Sequence, residues 1–166
     1  MKKHILLVVL SLTALCGCQQ FVTWKTNHSI AGVWKSEGAL PWKFVFAKNG
    51  AIKEVFRNDG LRMDISAGGS GSETSDKQVL ASYVYGPCVW SYDPKTNILR
   101  ATVTIEDFYV KAGDAELNCK LIDEFEGPLS GDDRTWNASW TTTTKWHDNA
   151  PDQVVADRKL VLTKIE

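Results

Sequence analysis

Along residues 135–146, TWNASWTTTTKW, apolar side chains return at even positions: Trp136, Ala138, Trp140 and Trp146 share a parity with Thr142 and Thr144. The other parity is polar, from Thr135 and Asn137 to Lys145. A period of two places these sets on opposite faces of a β-strand. The same alternation runs through 115–125, where Leu117, Cys119, Leu121, Asp123 and Phe125 oppose Glu116, Asn118, Lys120, Ile122 and Glu124. That window is the nearest rival for a helix, and its alternation favours a strand.

Further runs rich in β-branched and aromatic residues lie at 30–36, 42–48, 51–57, 61–65, 79–86, 88–93, 98–110 and 158–165. Asn49-Gly50 and Asp59-Gly60 are hairpin dipeptides, because a tight type I′ turn needs positive φ at both central residues. Residues 93–97 and 130–133 supply further turns. Short strands joined by tight turns pair with their sequence neighbours, so the pattern predicts an all-β fold. The expected architecture is an antiparallel up-and-down barrel of about 8–10 strands, since closure removes exposed edges. Residues 66–76, SAGGSGSETSD, hold no core anchor and are expected to form a flexible exposed loop.

The first residues follow a different logic. Lys2 and Lys3 precede an apolar run from Ile5 to Leu15, too short to span a bilayer as a helix and ordered like a secretory signal. Leu15-Cys16-Gly17-Cys18 resembles the lipobox of bacterial lipoproteins. The resemblance implies cleavage before Cys18, lipidation of Cys18 and loss of Cys16. Gln19 after the lipidated residue implies the outer membrane in a diderm bacterium. The expected organisation is a signal peptide over 1–17, a lipidated tether over 18–29 and a barrel domain over 30–166. The alternative is an ordinary export signal in which both cysteines are incidental.

Charge narrows the partners. With 19 basic and 20 acidic side chains the net charge is −1, which excludes the basic surface that nucleic acid requires. No later apolar run is long enough to cross a membrane as a helix, so attachment would rest on the lipid. In an oxidising compartment Cys88 and Cys119 are a candidate disulfide. The other reading is a pair of buried thiols acting as small hydrophobes.

The chain carries 7 tryptophans, and Trp34, Trp42 and Trp90 fall inside expected strands with Trp136, Trp140 and Trp146. Indoles on an inner face either fill a small barrel or line a site for a flat, apolar or sugar ligand. Trp34, Trp90, Trp136, Trp140 and Trp146 are the candidate ligand-binding residues. Glu54, sharing a parity with Ile52 and Phe56, and Asp123, between Leu121 and Phe125, join them as carboxylates on apolar faces. Gly32-Val33-Trp34 resembles the Gly-x-Trp signature of lipocalins and the wider calycin group. That resemblance implies a lipocalin-like barrel whose end is closed by Trp34, with Arg158, Lys159 or Lys164 packed over it.

Enzymatic signatures are missing. After the signal only His28 and His147 remain as histidines, so no spaced metal-ligand cluster exists, and no nucleophile elbow or phosphate loop is present. Glu106 and Asp107 are adjacent and would point to opposite faces of a strand. The expectation is a protein without catalysis, metal or cofactor. The leading reading is a lipid-anchored envelope barrel that binds a small apolar or aromatic ligand or a glycan. Its rivals are a protein-interaction module, for which lysozyme-inhibitor lipoproteins with their Ser/Gly-rich segment are loosely similar, and an envelope structural factor.

Overall fold

The computed structural model describes residues 29–39, 41–58, 60–67, 69–74 and 79–166. Cys16, Cys18, the expected signal and all of the expected tether except Ser29 lie outside the described residues. Ten strands form one antiparallel sheet: β1 (Gly32–Ser36), β2 (Lys43–Phe46), β3 (Ile52–Phe56), β4 (Arg62–Asp64), β5 (Ser70–Thr74), β6 (Val79–Asp93), β7 (Ile98–Ala112), β8 (Ala115–Pro128), β9 (Thr135–Trp146) and β10 (Gln153–Lys164). The order across the sheet is β4-β3-β2-β1-β10-β9-β8-β7-β6-β5. First and last strands therefore pair, and the up-and-down barrel is closed everywhere except between β4 and β5.

That seam is bridged at one end. Ala51 and Val89 form an isolated bridge, the Trp90 amide donates to Gly50 O at 2.8 Å, and Trp90 Nε1 donates to Ala47 O at 2.9 Å. Between β4 and β5 the chain makes a single 3-10 turn, Ile65–Ala67.

Two strands depart from the sequence pattern. Residues 70–74 were expected within a flexible loop, yet they pair with Leu80–Val84 of β6 as β5. The glycine makes this possible: a Cβ at Gly71 would lie 2.3 Å from the Tyr83 hydroxyl, so only a bare backbone fits against that ring. The runs 79–86 and 88–93 are one strand, because Gly86 and Pro87 fall in an irregularity of the β6–β7 register between Tyr85 and Cys88. A bulge is where a strand tolerates proline.

Gly32 holds the closure. Its φ is +138°, and a Cβ there would come within 2.0 Å of Glu166 O. The backbone of β1 can thus approach the chain's end, with Val33 N donating to Glu166 O and Ile165 N to Val33 O. Trp34 Nε1 donates to Ile30 O at 2.9 Å, which ties the residues just before β1 to the barrel.

The core is aromatic. Trp42 stacks on Phe44 with centroids 5.7 Å apart, Phe125 on Trp140 at 5.9 Å and Phe46 on Trp90 at 5.2 Å. Trp42 meets Trp140 edge to face at 5.0 Å, and Trp34 meets Trp136 at 6.5 Å. Rings at these separations fill a small barrel and contribute beyond the area they bury. β1–β4 are three to five residues long and β6–β10 twelve to fifteen. The long strands therefore rise past the short ones, giving a closed filled half and an open half.

Candidate functional site

The sequence-predicted residues separate into a buried group and an exposed group. Trp34, Trp90, Trp136 and Trp140 are all buried, the last two at 0% and 2% exposure. Trp136 Nε1 donates to Gly127 O at 3.2 Å, and its face is covered by Phe44, Phe46 and Phe125. These indoles are spent on aromatic neighbours within the core. Lys164 is the cross-strand partner of Trp34 and its ammonium donates to Ser29 O, whereas Arg158 lies over Trp140 and Lys159 is exposed.

Asp123 is buried on the inner face between Leu121 and Phe125, as its parity requires. Its Oδ1 accepts from Trp140 Nε1 at 2.9 Å and from Thr142 Oγ1 at 2.6 Å. Its Oδ2 lies 3.3 Å from Arg57 Nη1. Arg158 donates to Thr142 Oγ1 and spreads over the Trp140 ring, 3.1 Å from the centroid. Arg57 also reaches the faces of Trp42 and Phe108, each 5.9 Å away. A buried carboxylate needs such partners, and removing one leaves an uncompensated charge. The cluster sits where β1–β4 end, as a polar lid on the filled half.

Arg57 was absent from the sequence reading, and Glu54 is on the other face from the one expected. One bulge explains both. Val45 pairs with Glu54 and Phe46 with Ile52, so Lys53 is an extra residue and the parity of β3 flips across it. Val55 and Arg57 turn inward, and Glu54 turns out to meet Lys43 at 3.2 Å and Arg62 at 2.8 Å. Hydrogen bonding to Arg62 holds the Glu54 carboxyl below its ordinary value. A signal existed: Ile52 and Val55, both β-branched, are three apart within one short strand, a spacing a regular strand cannot bury.

The expected bridge between Cys88 and Cys119 is not formed, and both are buried free thiols. Cys88 pairs with Val103 and Cys119 with Phe108, on opposite sides of β7 and at different heights. Two strand spacings alone separate their backbones by about 9–10 Å, beyond the reach of a disulfide. Burial pushes both thiols above their ordinary values.

Trp146 differs from the other described tryptophans. It closes β9 and lines a cleft of about 490 Å³ with Glu116, Asn118, His147 and Asp148. His147 Nδ1 lies 3.9 Å from Asp107 Oδ1. The cleft thus brings two carboxylates, a carboxamide and an imidazole to the same end of the barrel as one indole, a lining that offers hydrogen-bond acceptors and donors near an apolar surface. Among the described residues no three His, Cys, Asp or Glu side chains are grouped to hold a metal ion.

Comparison with protein-family models, curated proteins and solved structures finds no match for this chain.

Proposed function

We propose that the chain is a lipid-anchored binding module of the bacterial cell envelope, held through Cys18, in which the filled barrel is a stand and the end carrying Trp146 takes a glycan. The observation that carries this reading is the contrast among the tryptophans: Trp34, Trp136 and Trp140 are wholly buried against aromatic neighbours, while Trp146 borders a cleft with Glu116, Asn118, His147 and Asp148. Sugar C–H groups stack on an indole face, and sugar hydroxyls donate to carboxylates and exchange hydrogen bonds with a carboxamide. A purely apolar ligand suits the cleft less well, because it would desolvate Glu116 and Asp148 without replacing their hydrogen bonds. Ser29 stands beside Lys164 at the far end of the barrel, so a lipid joined there by the tether leaves Trp146 on the side away from the membrane.

Calorimetric titration with a panel of neutral and amino-bearing oligosaccharides tests the proposal. Binding by at least one, weakened about ten-fold or more by Trp146→Ala with unchanged melting, is expected. A flat response across the panel sinks the glycan reading. The filled core equally suits a protein-interaction module of the lysozyme-inhibitor kind. Stoichiometric capture of lysozyme, indifferent to Trp146→Ala, would favour that second reading.

A further inference from the structure

β10 is paired along nearly its whole length on one side only. Against β9 its register runs from Gln153 opposite Thr144 to Thr163 opposite Thr135. Against β1 it covers just Leu162, Thr163 and Lys164, which meet Ser36, Lys35 and Trp34. Beyond Ser36 the chain leaves the sheet, and no strand among the described residues continues its line beside β10. In that place lies a cleft of about 380 Å³, lined by Glu37, Lys159, Leu160, Val161 and Thr163.

The direction of the backbone groups is set by two hydrogen bonds. Ile165 N donates to Val33 O, toward β1, and Lys164 N donates to Arg134 O, toward β9. Successive residues of a strand point their N–H and C=O to alternate sides, so those of Lys159 and Val161 face the cleft. Their side chains are exposed, Val161 at 56%, while Leu160 and the half-buried Arg158 point inward. The β9–β10 register shifts between Val155 and Arg158, and Asp157 has a φ of +59°. This irregularity bounds the free edge, which comprises Arg158 to Val161. Bulges and charges are the usual guards of a strand edge; here the bulge ends the window, and its one outward charge, Lys159, repels basic strands and admits acidic ones.

We propose that this window is a docking edge for an extended segment of a partner protein, added as a strand in line with β1 and antiparallel to β10. Two pairs of main-chain hydrogen bonds, to Lys159 and Val161, would fix the backbone, as in strand addition generally. The four side chains fix the sequence. Running with β1, the guest meets Val161 and Leu160 first and then Lys159 and Arg158, so it carries two apolar residues followed by two acidic ones. The first acid sits on the outer face and draws the exposed Lys159 ammonium from Ser139 Oγ, and the second faces inward beside Arg158, whose guanidinium otherwise lies over β9 on Thr142 and Trp140. This surface lies apart from the Trp146 cleft, and its occupation is independent of the glycan reading.

The test uses the ¹⁵N-labelled chain and a capped nine-residue peptide with Val-Val-Glu-Glu at its centre. Amide exchange at Lys159 and Val161 should slow by about ten-fold at saturation, with β9 amides unchanged. A Val-Val-Lys-Lys peptide, and one N-methylated at alternate residues, should give no protection. Val161→Pro removes a free N–H without touching the β9 ladder, and should abolish binding while the remaining amide spectrum is retained. Unchanged exchange at both amides under saturating peptide overturns the proposal, as does equal protection by the N-methylated peptide. Protection that grows with the chain's own concentration and needs no peptide also overturns it, since the edge would then be taken by a second copy.

Discussion

The two halves of β9 face the same interior and have opposite fates. Trp136, Ala138 and Trp140 are buried to 0%, 1% and 2% exposure, whereas Thr142, Thr144 and Trp146, on the same face, are only half-buried. The strand is regular throughout, so alternation cannot account for the difference. What differs is the wall opposite. Trp136 and Trp140 look across at Trp34, Trp42 and Phe44 on β1 and β2 and the residues between those strands, which end at the level of the Asp123 cluster. Above that level the long strands have no short strands opposite them. Periodicity tells a residue which face it takes, and the length of the opposing strands decides whether that face is covered.

The contrast can be broken from the filled side first. Trp136→Ala should cost about 3–5 kcal/mol, because an indole buried among rings leaves a cavity that the barrel cannot collapse; urea unfolding measures it. A loss under 1 kcal/mol would show that the core is loosely packed and that the two halves are alike. Next comes the boundary. Asp123→Asn keeps an acceptor for Trp140 and Thr142 and removes the charge facing Arg57 and Arg158, and should cost about 2 kcal/mol. Equal stability of this variant and the parent would remove the cluster as a structural lid.

Smaller effects sharpen the picture. Glu54→Gln should cost about 0.5–1 kcal/mol at neutral pH, since Arg62 is largely exposed and Lys43 only half-buried. The folded Glu54 carboxyl titrates below its unfolded value, so its contribution is complete above the unfolded value and is lost as pH falls through the folded one. Parent and variant should therefore converge in acid, and a gap that widens there would refute the assignment. Smallest of all, Val155→Thr in the open half, exposed at 44%, should change stability by less than about 0.5 kcal/mol. Cys88 and Cys119 should resist thiol reagents in the native chain and react when urea unfolds it, because both are buried and protonated.

Much of this was readable from residue order, for an identifiable reason. β8 and β9 are long and regular, so parity alone placed Asp123 beside Phe125 and set Trp136 and Trp140 on one inner face. The failures occur where one residue is inserted or a side chain is missing. Lys53 reversed the faces of Glu54 and Arg57, and β5 was hidden because Ser-Gly-Ser-Glu-Thr has no apolar face to display. Its pairing depends on the Tyr83 ring above Gly71, a long-range fit invisible in composition. The cleft at Trp146 was half legible. Parity placed the indole at the end of β9, but its neighbours Glu116 and Asn118 come from β8, and only the register brings them together.

The join between Gly32 and Glu166 sets an order of events. Its two strands are the first and last of the sheet in chain order, so β1 cannot join β10 until residues 162–166 are present, however early the hairpins between them form. Closing a loop of that span is entropically costly and slow. Until then β1 and its Trp34 lack their β10 neighbour, and a chain without residues 162–166 should stay split into the β1–β4 and β5–β10 parts of the sheet, with the margins of both available for misassembly.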